Sequence, residues 1–216
     1  MTAAPAAAQV GAAVSIFSDE RFRGYSLSQE RPVAILDLSY DAPSGLYGVV
    51  SGSVVAARDE GVRPLGLQLN GGYAKRLNSV LTFDVGATHS TYSHYSGIGG
   101  ARSYTEVYAG IGGKSISARL SVSPDYFGAG STVHGEVNGH FSLAKDLSVA
   151  SDLGLLVLLG HSYTSHPVYD ARLGVDRTFG RFSLHAAVTS RGKSRAFYSG
   201  RWSSRNAFIV GISYGL

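Results

Sequence analysis

Asn206-Ala-Phe-Ile-Val-Gly-Ile-Ser-Tyr-Gly-Leu216 decides the fold. Phe208, Val210, Ile212, Tyr214 and Leu216 fall on one face of an extended chain, and Ala207, Ile209, Gly211, Ser213 and Gly215 fall on the other. A period of two is that of a β-strand. A strand placed last in the chain leaves an open edge unless it has a neighbour on each side. Closure of a sheet into a barrel supplies both.

The same alternation recurs along the chain. Val10, Ala12, Val14 and Ile16 share a face in a first strand ending near Phe17. Further strands are expected over Pro32–Tyr40, Gly45–Val55, Leu65–Ala74, Val80–His89, Ser103–Ile111, Ser115–Val122, Ser131–Leu143, Leu147–Leu159, Val168–Phe179 and Arg181–Ser190. In the fourth, Leu65, Leu67, Leu69 and Tyr73 oppose Gln68 and Asn70. With the last stretch this makes twelve strands of about ten residues, enough to cross a bilayer at a tilt. Connections alternate in length. Those after odd strands read as long, including Ser18–Arg31 and Ala56–Arg63, and those after even strands as short turns. That layout predicts an all-β, transmembrane, antiparallel up-and-down β-barrel, with short periplasmic turns, longer external loops and both termini periplasmic.

Composition agrees. Of 216 residues only 16% are charged, while 28 are Gly and 13 are Tyr. Soluble domains carry about a quarter charged residues. The longest apolar run, Leu153–Leu159, is far below the ~18 residues of a membrane helix. Cysteine is absent, so there is no disulfide framework and no thiolate chemistry. Residues 1–9, rich in Ala, read as a flexible leader left by signal-peptide processing or by a tag, and 10–216 as one barrel domain. Tyr40, Tyr73, Phe141, Phe182 and Tyr214 fall on the apolar face at the short-turn end, and Tyr169 and Phe208 at the other, as aromatic girdles require.

If the apolar faces meet lipid, the opposite faces line a lumen. They carry Asp37, Asp84, Glu106, Arg119, His134, Glu136, Asn138, His140, Asp152, Asp170, Arg172, Asp176 and His185. None of the assigned apolar faces carries a charge, which near the midplane would cost ~2–4 kcal/mol for Arg or Lys. Carboxylates outnumber arginines in this lining, which predicts a cation-leaning or polar-solute pathway. The alternative is an interior filled by Arg119 and Arg172 paired with carboxylates. His134 and His140 lie roughly 20 Å apart along one strand, too far to hold one ion, so no metal or cofactor site is assigned. No catalytic residue is assigned either, since no Gly-x-Ser-x-Gly nucleophile motif occurs.

Two connections carry further chemistry. In the first, Asp19, Arg21 and Arg23 are expected either to fold inward as a constriction or to stay on the surface in local ion pairs. The last holds Arg191, Lys193, Arg195, Arg201 and Arg205 beside Phe197, Tyr198 and Trp202. On an external loop the expected anion is the phosphate of lipopolysaccharide rather than nucleic acid, because Arg binds phosphate bidentately.

The stretch Phe17-Ser-Asp-Glu-Arg-Phe-Arg-Gly-Tyr-Ser-Leu-Ser28 resembles the opening motif of the TorF family of putative porins. Ser18, Asp19, Phe22, Arg23, Gly24 and Ser26 match it, and Glu20 stands where an aromatic is usual. Ser44–Gly48 and Ser121–Gly128 are also similar. The terminal Leu216 departs from the terminal Phe common in outer-membrane proteins. The resemblance implies a barrel in the Gram-negative outer membrane with a porin role. The expected function is passive diffusion of small polar solutes or ions through a narrow lumen. The alternatives are a closed anchoring barrel that binds a protein partner or lipopolysaccharide through its loops and, third, a lipid-modifying enzyme.

Overall fold

Alternation is realised on every wall strand. Leu36, Leu38 and Tyr40 point outward while Asp37 and Ser39 point in, and Val107 and Ile111 point outward while Glu106 and Tyr108 point in. The computed structural model describes residues 8–99, 101–159, 166–192 and 205–216. In chain order its strands are β1 (Gln9–Phe17), β2 (Arg21–Phe22), β3 (Tyr25–Ser26), β4 (Val33–Asp41), β5 (Leu46–Ala57), β6 (Gly61–Arg76) and β7 (Thr82–Tyr92). They continue as β8 (Ser103–Gly112), β9 (Ile116–Ser123), β10 (Thr132–Ala144), β11 (Leu147–Leu158), β12 (Val168–Phe179), β13 (Phe182–Arg191) and β14 (Asn206–Gly215).

Twelve of these strands form one closed antiparallel barrel, each pairing with its neighbours in sequence and β14 returning to β1. Closure gives every edge a partner, which is what the last stretch demanded. The twelve strands agree with the expected ones to within a few residues. Tyr40, Tyr73, Phe141, Phe182, Tyr169 and Phe208 all lie exposed on the outer wall. Arg177 also points outward, at the short-turn end. It reaches Asp146 at 3.3 Å and lies 4.9 Å over the Phe179 ring, so its charge stays at the interface while its stem covers apolar wall.

Three expectations need correction. Ala56–Arg63 is not a long connection: β5 runs on to Ala57 and β6 begins at Gly61, leaving a three-residue turn. Asp59 (φ 61°) and Gly61 (φ 74°) take the left-handed conformation that so tight a reversal needs. Leu65 does not face lipid. The register shifts at Ser53/Val54, where Val54 pairs with Pro64 and Ser53 with Gly66, so Leu65 is the extra residue of a bulge. It is 0% exposed, packed with Val33 and Val55. Proline beside it is consistent with a bulge, since Pro cannot donate to a ladder. Thirdly, an apolar face does carry a charge: Arg177 shares the outward parity of Tyr169, Leu173, Val175 and Phe179. The connection Ser18–Arg31, for which both an inward and a surface course were open, contains the hairpin β2–β3.

The apolar core sits inside the barrel at the long-connection end. Leu27, Tyr92, Ile98, Tyr104, Tyr126, Phe127, Leu156 and Val168 form one buried cluster drawn from loops and strand ends. Towards the short-turn end the interior is polar. The closing seam has its own polar tie. His185 (β13) donates from Nδ1 to Asp176 Oδ1 (β12) at 2.6 Å and meets Ser213 Oγ (β14) with Nε2 at 2.8 Å, and Ser213 Oγ is 2.8 Å from Ser15 Oγ (β1). The chain of hydrogen bonds crosses four strands where β1 and β14 share only five aligned pairs. Ser213→Ala should therefore lower stability by about 1 kcal/mol, read as an earlier midpoint in urea unfolding of the detergent-folded barrel. An unchanged midpoint would remove this role from the relay.

Candidate functional site

The first connection begins at the seam. Ser18 N donates to Val210 O at 2.9 Å and Ser18 Oγ accepts from Val210 N at 3.1 Å, tying its root to β14. Asp19 then organises the turn to come. Its carboxylate accepts from Arg21 Nε (2.7 Å), Ser26 Oγ (2.5 Å) and Ser28 Oγ (2.8 Å). Arg21 Nη1 donates to Gly24 O at 3.0 Å. These bonds close the hairpin, with Arg21 opposite Ser26 and Phe22 opposite Tyr25. Its two turn residues, Arg23 (φ 48°) and Gly24 (φ 73°), are both left-handed, as a two-residue primed turn requires. Glycine takes this conformation freely. Arginine does so at a cost of about 1–2 kcal/mol, so something must hold Arg23 there.

Two contacts hold it. Arg23 Nη2 donates to Glu106 Oε2 of β8 at 2.8 Å, with both side chains nearly out of solvent. Its guanidinium lies 4.7 Å from the Phe22 ring centroid and 5.1 Å from that of Tyr126. Next to it, Gly24 packs on β12 and β13: a Cβ there would sit 2.7 Å from Arg191 Cβ and 3.4 Å from Asp170 Cβ. The tip thus meets the wall at β8 on one side and at β12–β13 on the other. Behind it, Leu27 is buried in the core cluster, Gly97 N donates to Leu27 O at 2.9 Å, and Arg31 Nη2 donates to Tyr95 O at 2.7 Å. Two cavities flank the hairpin. One, of about 280 Å³, is lined by residues that include Glu20, Phe22, Glu136, Asp152, Asp170 and Arg172. The other, of about 250 Å³, is lined by residues that include Glu20, Asp37, Ser53, Gln68 and Tyr92.

Glu20 lines both cavities. Burial pushes its carboxyl up to about 7; a hydrogen bond to Ser53 pulls it down, and Asp19 and Asp37 push it further up. Its Oε2 is buried without a hydrogen-bond partner.

The other lining residues fall into three groups. On β10–β12, His134 is buried between Asp170 (Nε2 to Oδ2, 3.4 Å) and Glu136 (Nδ1 to Oε2, 3.7 Å), Asn138 Nδ2 reaches Glu136 Oε1 at 3.5 Å, and Asp152 is directly opposite Arg172. Towards the short turns, Asp84 accepts from Arg119 Nη2 at 3.0 Å and from Tyr47 Oη at 2.5 Å, and Arg119 lies 4.2 Å over the Tyr108 ring. Asp37 accepts from Ser51 Oγ, while Asp176 and His185 belong to the seam. His140 is exposed near the end of β10. It is therefore apart from His134, and the described residues hold no group of three potential metal ligands.

Arg191 is a correction to the expected external basic cluster. It ends β13, is 9% exposed, and its guanidinium lies 4.2 Å over the Tyr25 ring. The reason is parity: residues 183, 185, 187 and 189 point inward, and 191 continues that face. Arg205 is exposed, while Lys193, Arg195 and Arg201 lie outside the described residues, as do Phe197, Tyr198 and Trp202.

Inward-facing tyrosines were missed from the sequence. Tyr104 and Tyr108 flank Glu106 at a spacing of two, so the same parity would have found them. Their rings need room, and glycine supplies it: a Cβ on Gly86 would lie 2.4 Å from Tyr108 Oη. A further concavity, of about 780 Å³, is not in the lumen. It is on the outer wall across β10–β14, among Val137, Phe141, Leu153, Leu173, Val188 and Phe208, with small residues such as Gly139 and Ala171 between them. It is an apolar depression in the lipid-facing surface, and Ala171, Arg172 and Thr189 border both it and the inner cavity.

A closed twelve-stranded antiparallel barrel, apolar outside and charged within, is the fold of outer-membrane porins and channels. Among solved structures, the NanC porin superposes with a TM-score of 0.64 at 12% identity, covering 95% of this chain and 100% of that one. The KdgM porin, solved in complex with disordered oligogalacturonate, gives 0.53 at 14%, covering 96% and 99%. An outer membrane channel from Pseudomonas putida F1 gives 0.55 at 16%, covering 99% and 96%. The chain belongs to the family described as "Bacterial protein of unknown function (Gcw_chp)", which matches residues 2–206. No curated protein matches it.

Proposed function

We propose that this protein is a porin-like channel of the Gram-negative outer membrane, which passes small polar solutes with a preference for cations. The observation that carries the reading is the hairpin β2–β3 seated inside the barrel, flanked by charged cavities. Such a hairpin narrows the lumen and places ionised groups beside the path, where they set selectivity. The first-loop likeness to the TorF porins supports the same role. KdgM was solved with an anionic oligosaccharide. The cavities here carry more carboxylates than arginines, which favours solutes of the opposite sign. In this reading the short turns and both termini are periplasmic, and the last long connection meets lipopolysaccharide phosphate through its arginines.

Planar-bilayer recording tests the channel. A KCl gradient should give a reversal potential on the cation side, and a folded barrel that carries no current at any voltage would overturn it. The pH dependence has a definite sign. Glu20 is neutral below about 7 and charged above, so cation preference should rise between pH 6 and pH 8 and the Glu20→Gln variant should lose that step. Stability runs the other way. The folded state holds the Glu20 proton more tightly than the unfolded chain, so this contribution is complete below about pH 4.3 and lost as pH rises through about 7. An equal pH step in wild type and Glu20→Gln would assign the titration to another group.

A further inference from the structure

The cavity of about 280 Å³ beside the hairpin is unbalanced in charge. Arg21 pairs with Asp19 at 2.7 Å, Arg23 pairs with Glu106 at 2.8 Å, and Arg172 stands opposite Asp152 on the neighbouring strand. Three carboxylates remain, Glu20, Glu136 and Asp170. His134 lies near the last two, at 3.7 and 3.4 Å, and Glu20 has no cation of its own among the described residues. An independent feature marks the cavity as built for a guest. Thr189 lines it, is 7% exposed, and has a hydroxyl without a hydrogen-bond partner. Buried polar groups in native structures are satisfied, by protein, water or ligand. The rest of the wall is apolar, with the rings of Phe17 and Phe22 and the side chain of Ile209.

We propose that this cavity binds a small organic cation, an ammonium or guanidinium group on a short apolar stem, as the solute that the channel admits. The charged head meets Glu136, Asp170 and Glu20, with the Thr189 hydroxyl as a further acceptor, and the stem lies along Phe17, Phe22 and Ile209. Carboxylates and aromatic faces together select an alkylammonium over a bare metal ion, because the rings attract the cation and cover its stem. An anion of the same size would face the same carboxylates and be repelled.

The inference deepens the channel reading and rests on it, so the test separates the two. The full chain, folded in detergent and checked by its heat-modifiable gel shift, is titrated calorimetrically with 1,4-diaminobutane and, separately, with succinate and with Mg²⁺. The diamine should bind and the other two should not compete with it. Glu136→Gln should weaken binding by about tenfold or more, as loss of a directly paired charge does. Thr189→Val, which leaves the barrel wall apolar there, should weaken it by about two- to tenfold, the range of one hydrogen bond. In bilayers the diamine should block the current of a permeant small ion. Absence of binding to the folded barrel, equal binding by Glu136→Gln, or full displacement by Mg²⁺ each overturns the site. A barrel that binds the diamine but never conducts retains the site and overturns the channel, and one that conducts without binding does the reverse.

Discussion

Arg23→Ala should widen the channel, raising single-channel conductance several-fold while leaving the barrel folded. The side chain makes an ion pair between the hairpin and β8, to Glu106 at 2.8 Å, and stacks on Phe22 and Tyr126. Removing one partner of a buried pair costs about 3–5 kcal/mol, since the other charge is stranded. A shift of that size changes an equilibrium by about a hundredfold or more. What it shifts is the seating of the tip, because the twelve wall strands pair without it. Leu27, buried in the core cluster, still anchors the second arm of the connection, so the tip lifts while its root stays. Arg23 is also held at a left-handed φ of 48°, and that strain is released once the pair is broken. Arg23→Lys should give an intermediate conductance, since lysine keeps the charge but not the planar stack. The double exchange Arg23→Glu with Glu106→Arg should recover part of the wild-type value. A folded Arg23→Ala barrel with wild-type conductance would show that the hairpin is not the constriction.

Gly211→Leu should abolish closure. A Cβ at this position would lie 2.1 Å from Cδ1 of Phe17 and 2.9 Å from the carbonyl oxygen of Ile16. Both obstacles belong to β1, across the seam that has five aligned pairs. Overpacking of a well-packed site costs about 1–3 kcal/mol and sometimes more. Here the strain falls on the step that joins the two ends of the sheet. The expected result is loss of the heat-modifiable band on refolding. Gly211→Ala is the milder form, and its defect should be relieved by Phe17→Ala, which removes the ring above it. Residues in contact are expected to couple in this way. Additive losses in Gly211→Ala with Phe17→Ala would mean that the glycine matters for another reason.

The motif of the first connection shows how far local chemistry could be read. Asp19, Gly24 and Ser26 belong to the motif quoted from the sequence, and in the structure Asp19 accepts from Ser26 and Ser28 while Gly24 takes the left-handed turn position. Whether that hairpin stays outside or enters the barrel is not a local matter. It is decided by Arg23 meeting Glu106, 83 residues later, and by Gly24 fitting against Arg191 and Asp170. The same limit explains Leu65. Its spacing from Leu67 and Leu69 placed it on the lipid face, but the bulge opposite Ser53 and Val54 turned it inward. A bulge is a property of two strands in register, and neither strand carries it alone.

Residue order alone specified the strand number, the antiparallel order and which face of nearly every strand is apolar. It could do so because the side-chain direction of an extended chain alternates residue by residue, whatever surrounds it. The charges assigned to the interior followed from that parity. Contacts across the closed barrel set which of those charges pair, where the turn at Asp59 shortens, and that Arg191 stacks on Tyr25. The carboxylate-bearing cavities beside the hairpin belong to the same set. These depend on distances across the barrel between residues far apart in the chain, and those distances exist only once the sheet has closed.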